Sequence, residues 1–158
     1  MKRVLIISIL VVVVAAATMI LINQNNPKEE FVNVKVFFNN NNFDPEFSCN
    51  KVFPVERSVL KTDELERTAV FELLNGPTQS DVAQGFFTSI NSGVKINKLS
   101  IVRGKAMIDF DERLEFQVGG SCRVAAISAQ IRETLKQFPQ VKEVIISIND
   151  RTEDILQP

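Results

Sequence analysis

The chain has no histidine, no tryptophan and no tyrosine, and only two cysteines among its 158 residues. Each absence removes a class of chemistry. Without histidine, the commonest general base and the commonest zinc ligand are both missing. Two cysteines cannot supply the roughly four ligands that a structural zinc site needs, so no metal site is expected. All twelve aromatic residues are phenylalanine, which leaves out the tryptophan and tyrosine platforms on which sugars usually stack. Charge of one sign is also lacking: 18 basic residues face 19 acidic ones, for a net charge of −1. Nucleic-acid binding calls for a basic face or stripe, so no nucleic acid is expected as a partner. No catalytic constellation and no cofactor are expected either.

What is present begins with "MKRVLIISILVVVVAAATMILIN". Lys2 and Arg3 precede an apolar run from Val4 to Ile22 that only Ser8 and Thr18 interrupt. Nineteen residues long, that run matches a hydrocarbon core of roughly 30 Å at about 1.5 Å per residue. An uncleaved signal anchor over residues 1–22 is the expectation, in contact with the membrane through residues 4–22. Competing readings are a cleaved signal peptide, with Ala15-Ala16-Ala17 as its site, and a buried helix. No cysteine follows the run to carry a lipid. Lys2 and Arg3 would keep the N-terminus cytoplasmic. The expected location is thus the bacterial cell membrane, single-pass, with the rest of the chain extracytoplasmic. "NQNNPKEE", residues 23–30, is polar, has no apolar period and reads as a linker. Residues 31–158 would form one extracytoplasmic domain.

Within that domain, "FVNVKVFF" (31–38) alternates as a half-buried strand does. The four asparagines that follow, with Asp44-Pro45, suggest a loop; oxygen ligation of calcium there would need more carboxylates. "KVFPVERSV" (51–59) reads as an extended segment, placed at an edge by Pro54. A helix follows in "DELERTAVFELL", capped by Thr62 or Asp63, with Leu65, Ala69, Val70, Leu73 and Leu74 on its apolar face. Gly76 suits the left-handed position after its end and Pro77 prevents continuation; "GPT" could otherwise be an anion-binding turn. In the connection that follows, Phe86 and Phe87 are expected to reach the core. "VKINKLSIV" and "KAMIDFD" form a hairpin turning at Arg103-Gly104, with Ala106, Ile108 and Phe110 on one face. The second helix starts near Ser121, which could cap it, and carries Val124, Ile127, Ile131, Leu135 and Phe138 until Pro139 stops it. "VKEVIISIN" (141–149) is the last strand, with Val144, Ile146 and Ile148 alternating. The predicted fold is α+β: β-β-α-β-β-α-β, one small mixed sheet with two helices on one face, preceded by the transmembrane helix.

Cys122 at the mouth of the second helix could be a nucleophile, a free structural thiol or half of a bridge. A nucleophile usually needs a base, and histidine is absent. An even cysteine count in an exported domain favours a disulfide to Cys49, and a free thiol is the plainer alternative. Asp109, Asp111 and Glu112 could in principle form a glycosidase pair. Asp109 alternates with Ile108 and Phe110, so it should face away from the core, and solvated surface is the expected role of all three.

Taken in order, "VKVFF", "VERSV", "LLNGPT", "GKAMIDFDERL", "GGSCRVAAISAQIRETLKQFP" and "VKEVIISIND" resemble the GerMN domain of bacterial sporulation and spore germination, over nearly all of 31–150. The resemblance implies a small α+β fold, no enzymatic activity and a part in assembling a cell-envelope complex. Its motif residues fall here on Arg57, Gly76, Pro77, Thr78, Gly119 and Gly120. The function expected is therefore a non-enzymatic module that binds or assembles with other cell-envelope proteins, or with further copies of itself. The competing reading is a cell-wall glycan hydrolase or glycan-binding domain.

Overall fold

A computed structural model describes residues 29–157. Strand β1, Phe31–Asn40, pairs antiparallel with β2, Phe53–Leu60, from Phe31 opposite Leu60 to Phe38 opposite Phe53. Helix α1, Leu65–Leu74, and the short α2, Gln79–Ala83, come next. Strand β3, Phe86–Phe87, pairs with Asn39 and Asn40 on the other edge of β1. The hairpin β4, Ile96–Val102, and β5, Lys105–Phe110, leads through a 3-10 turn to α3, Ser121–Lys136. Strand β6, Glu143–Ile148, then returns parallel to β5. Residues from Phe31 onward make one compact unit.

The α+β class and the mixed pairing agree with the sequence, but there are two sheets where one was expected. Their strand orders are β2-β1-β3 and β4-β5-β6. What separates them is the use of the second edge of β1. There Lys35 N–H donates to Gln137 Oε1 at 2.7 Å, Gln137 Nε2 donates to Lys35 O at 2.6 Å, and Phe37 N–H donates to Thr134 Oγ1 at 3.1 Å. Side chains from the end of α3 thus satisfy the backbone groups that a neighbouring strand would have taken. Backbone N–H and C=O groups left by a strand's free edge need partners. In this fold a helix supplies them.

Both sheets still share one core. Val36 and Phe38 from β1 meet Ile108 and Phe110 from β5, Val144 and Ile146 from β6, and Ile127, Ile131 and Leu135 from α3. The apolar faces read from helical and strand spacing are those buried. Helices α1 and α3 pack on each other and on β1, and α3 also meets β6. Arg103 and Gly104 both have positive φ, 51° and 84°, the two-residue turn whose twist suits a hairpin.

Several boundaries move. Helix α1 begins at Leu65 behind Glu64, and neither Thr62 nor Asp63 caps it; Thr62 Oγ1 accepts from Glu64 N–H one turn too early. Helix α3 is preceded by Gly120, so Ser121 stands inside its first turn and caps nothing. Asn39 and Asn40 are buried members of β1, not loop tips. Their amides replace strand partners: Asn39 Nδ2 donates to Cys49 O and Lys51 O, and Asn40 Nδ2 to Gln84 O.

The single-pass membrane location is corrected. Among the described residues no helix is long and apolar enough to cross a membrane. The longest, α3, has 16 residues; at about 1.5 Å each it falls short of a core of roughly 30 Å. The expected span, Val4 to Ile22, lies outside the described residues.

Candidate functional site

Cys49 and Cys122 are joined. The bond ties the loop before β2 to the first turn of α3 and answers the question of the thiol: Cys122 is neither a nucleophile nor free. A buried polar chain lies next to it. Thr88 Oγ1 donates to Gln130 Oε1 at 2.8 Å, and Gln130 Nε2 donates to Asn39 Oδ1 at 2.7 Å. Asn39 then reaches the carbonyl of Cys49 at 3.3 Å. Gln130 has no solvent exposure, so every one of these bonds offsets a desolvation cost. Two of the four asparagine oxygens weighed for calcium are already occupied, Asn39 Oδ1 by Gln130 and Asn40 Oδ1 by the N–H groups of Asn42 and Phe43.

Arg57 and Thr78, from two distant stretches, converge on one carboxylate. Gly76, at φ 78°, ends α1 with its N–H on Leu73 O. Pro77 turns the chain, and Thr78 becomes the N-cap of α2 in a capping box with Asp81. Asp81 Oδ2 accepts from Thr78 N–H at 2.7 Å, from Thr78 Oγ1 at 2.8 Å, and from Arg57 Nη2, with which it forms a nearly buried ion pair. Burial pushes the Asp81 carboxyl up, but the bonds from Thr78 and the Arg57 guanidinium outweigh it and hold the group below the usual carboxylate range. The turn that could have held an anion holds this side chain. Sequence reading passed over Asp81, although "TQSD" carries the spacing of a capping box. Gly119 and Gly120 have nothing within 4 Å of where a side chain would begin, and only Gly120 has positive φ, 84°.

Of the three carboxylates weighed as a catalytic pair, Asp109 is buried, not solvated. It does point away from the core, but the turn after β6 covers it: Oδ1 accepts from Ser147 Oγ at 2.7 Å and from Asp150 N–H at 2.8 Å, and Oδ2 from Asn97 Nδ2 at 2.9 Å. Burial raises its pKa, yet these three donors together bring it below the ordinary value. Glu112 is also lowered, by its own backbone N–H and by Asn149. Asp111 Oδ1 accepts from Lys95 N–H at 3.1 Å. A glycosidase general acid must stay protonated near neutral pH, which requires a raised pKa. Asp109 and Glu112 are shifted the opposite way. These carboxylates tie the end of β5 to its neighbours.

A family model described as "Germane: Sporulation and spore germination" matches residues 35–154. The chain belongs to this family. Solved structures agree in fold. The first GerMN domain of the sporulation protein GerM from Bacillus subtilis is 19% identical with a TM-score of 0.56, over 77% of this chain and 85% of that one. The tandem GerMN domains of the same protein are 21% identical with a TM-score of 0.59, covering 80% of this chain and 42% of theirs. A putative lipoprotein from Clostridium perfringens is 14% identical with a TM-score of 0.52, over 83% of this chain and 85% of that one. No curated protein matches the chain. Within the matched range, Arg57 and Thr78 meet at Asp81 and join β2 to the α1–α2 turn.

Proposed function

We propose that this Germane-family chain is a non-enzymatic GerMN-type domain that binds or assembles with other cell-envelope proteins. The observation that carries the reading is the family match over residues 35–154, together with the structural use of every motif residue that points into the fold. Arg57, Thr78 and Asp81 neutralise one another in a nearly buried network, so they position backbone and have no spare charge for a substrate. The Cys49–Cys122 bond supports work in an oxidising compartment, where disulfides persist. Glycan hydrolysis is not favoured, because Asp109 and Glu112 are both held ionised.

In-cell photo-crosslinking from exposed positions on the domain, with identification of the captured proteins, tests the reading. Reproducible capture of one or a few envelope proteins is expected. Muropeptide release by the purified protein that disappears in Asp109→Asn, Asp111→Asn or Glu112→Gln would overturn it in favour of a hydrolase.

A further inference from the structure

Among the described residues strand β4 has one partner, β5, which leaves its other edge without a strand. The two-residue turn at Arg103-Gly104 makes Val102 and Lys105 exchange hydrogen bonds, and the alternation of an antiparallel pair then turns the N–H and C=O of Ile101 and Leu99 outward. Among the described residues no side chain caps these four groups. The contrast with β1 is direct, since Thr134 and Gln137 close the edge of that strand.

Beside this open edge, α1 leaves a groove. One stretch, of about 270 Å³, lies between the start of α1 and Leu99–Ile101; the next, of about 460 Å³, lies between Phe71 and Leu74 of α1 and Val94–Ile96. Arg67 lines both and donates to Ile96 O at 3.1 Å, so it already occupies the strand acceptor where they meet. Apolar side chains stand in both stretches: Leu99 and Ile101, half-buried, in the first, and Phe71, 57% exposed, in the second. The rim of the first stretch is acidic: Asp63, Glu64 and Glu66 line it against one cation, Arg67, whereas Arg67 and Lys95 line the second stretch. Glu66 Oε1 accepts from Gln140 Nε2, and among the described residues none of the three carboxylates is in a salt bridge.

We propose that this groove is the docking site for an extended segment of a partner protein, added as a further strand on the edge of β4 at Leu99–Ile101. Backbone bonds supply the register, alternate apolar side chains of the segment lie on Leu99, Ile101 and Phe71, and a lysine or arginine of the segment meets the carboxylates at the start of α1. An acidic rim beside unpaired backbone selects a basic, apolar-alternating strand over an acidic one. The inference rests on the reading of the chain as an assembly module and names the surface it would use.

The probe is a short blocked peptide of alternating valine and lysine, titrated into the full-length protein and followed by amide NMR and hydrogen exchange. Expected are fast exchange at Leu99 and Ile101 in the free protein, then shifted and protected amides at both with the peptide. Ile101→Pro removes the outward N–H but no hairpin bond, and an edge strand tolerates proline there; it should abolish binding while the amides of β5 and β6 stay protected. Asp63→Lys with Glu66→Lys should weaken binding on the order of tenfold. Equal binding of the valine–glutamate peptide, unchanged binding in Ile101→Pro, or no shift at Leu99 and Ile101 would overturn the proposal. So would protection of those amides in the free protein, which would mean that the chain covers its own edge. Concentration-dependent self-association lost in Ile101→Pro would likewise give the edge to a second copy. Any of these leaves the crosslinking test of assembly standing; failure of crosslinking with intact peptide binding would remove the assembly reading alone.

Discussion

Replacing both cysteines, Cys49→Ser with Cys122→Ser, tests what the disulfide does for this fold. The bond joins residues 73 apart in sequence. In the chain-entropy model, a loop of that length lowers the entropy of the unfolded chain enough to stabilise the native state by about 4 kcal/mol. This is a large share of the ~5–15 kcal/mol that holds a domain together. For a domain of this size, about 3 °C of melting temperature follows each kcal/mol, so thermal unfolding should move down by roughly 10 °C. At the α3 end the remaining local ties are those of Arg123, which donates to Ser89 O, Gln117 O and Asn91 Oδ1. Nothing packs within 4 Å of the positions a side chain would take on Gly119 or Gly120. At the Cys49 end, the carbonyls of Cys49 and Lys51 are still held by Asn39. The loss should therefore be uneven in the native state: amides of the first turn of α3 exchange faster, while those around Ile131 and Leu135 keep their protection until global unfolding. Urea unfolding by circular dichroism, with hydrogen exchange read residue by residue, checks both parts. A double variant with an unchanged midpoint would refute the entropic argument. An equal loss of protection along all of α3 would refute the claim that the bond holds mainly its start.

Asp81→Asn should cost about 3 kcal/mol, because it leaves the Arg57 guanidinium nearly buried without its counter-charge; chemical denaturation measures it. The same variant carries a pH signature. A carboxyl whose folded pKa lies below its unfolded value of about 3.9 contributes stability that is present above that value and lost as pH falls through the folded pKa. The acid limb of the stability curve should flatten in Asp81→Asn, and a limb of unchanged slope would show that Asp81 is not its source. Gln130→Leu, which leaves the buried Asn39 Oδ1 without its donor while Thr88 Oγ1 keeps the N–H of Ile90, should cost about 1–3 kcal/mol, read as a lower denaturation midpoint. Gly120→Ala should destabilise by about 1–3 kcal/mol, because its φ of 84° is a conformation that side-chain-bearing residues rarely adopt. Gly119→Ala, in equally open space without that φ, should be close to neutral; equal effects from the two would show that packing, not backbone conformation, governs the pair.

The sequence by itself determined whatever depends on short-range spacing. Periodicity placed Ile108 and Phe110 on one face of β5, Ile127, Ile131 and Leu135 on one face of α3, and the end of α1 at Gly76-Pro77. The Arg103-Gly104 turn was legible for the same reason, since a two-residue hairpin announces itself in its own residues. The Cys49–Cys122 pairing was legible too, because two cysteines allow only one bridge, while the choice between a bridge and free thiols was made by the structure. What only the tertiary structure decided depends on groups far apart along the chain. Division into two sheets rests on Gln137 closing the edge of β1 at Lys35, 102 residues away. Asn39 and Asn40 look like loop residues because their amides favour turns locally. Carbonyls of 49, 51 and 84 let them finish a buried strand. Asp109 was rightly placed on the outer face of β5, but alternation reports only which face a residue takes. Whether that face meets water was settled by Ser147 and Asp150, which fold over it from β6 and its turn. Arg57, Thr78 and Asp81 were all visible as residues, and their meeting was not, because a side chain's partner is chosen by the packing of whole elements and not by its neighbours in sequence.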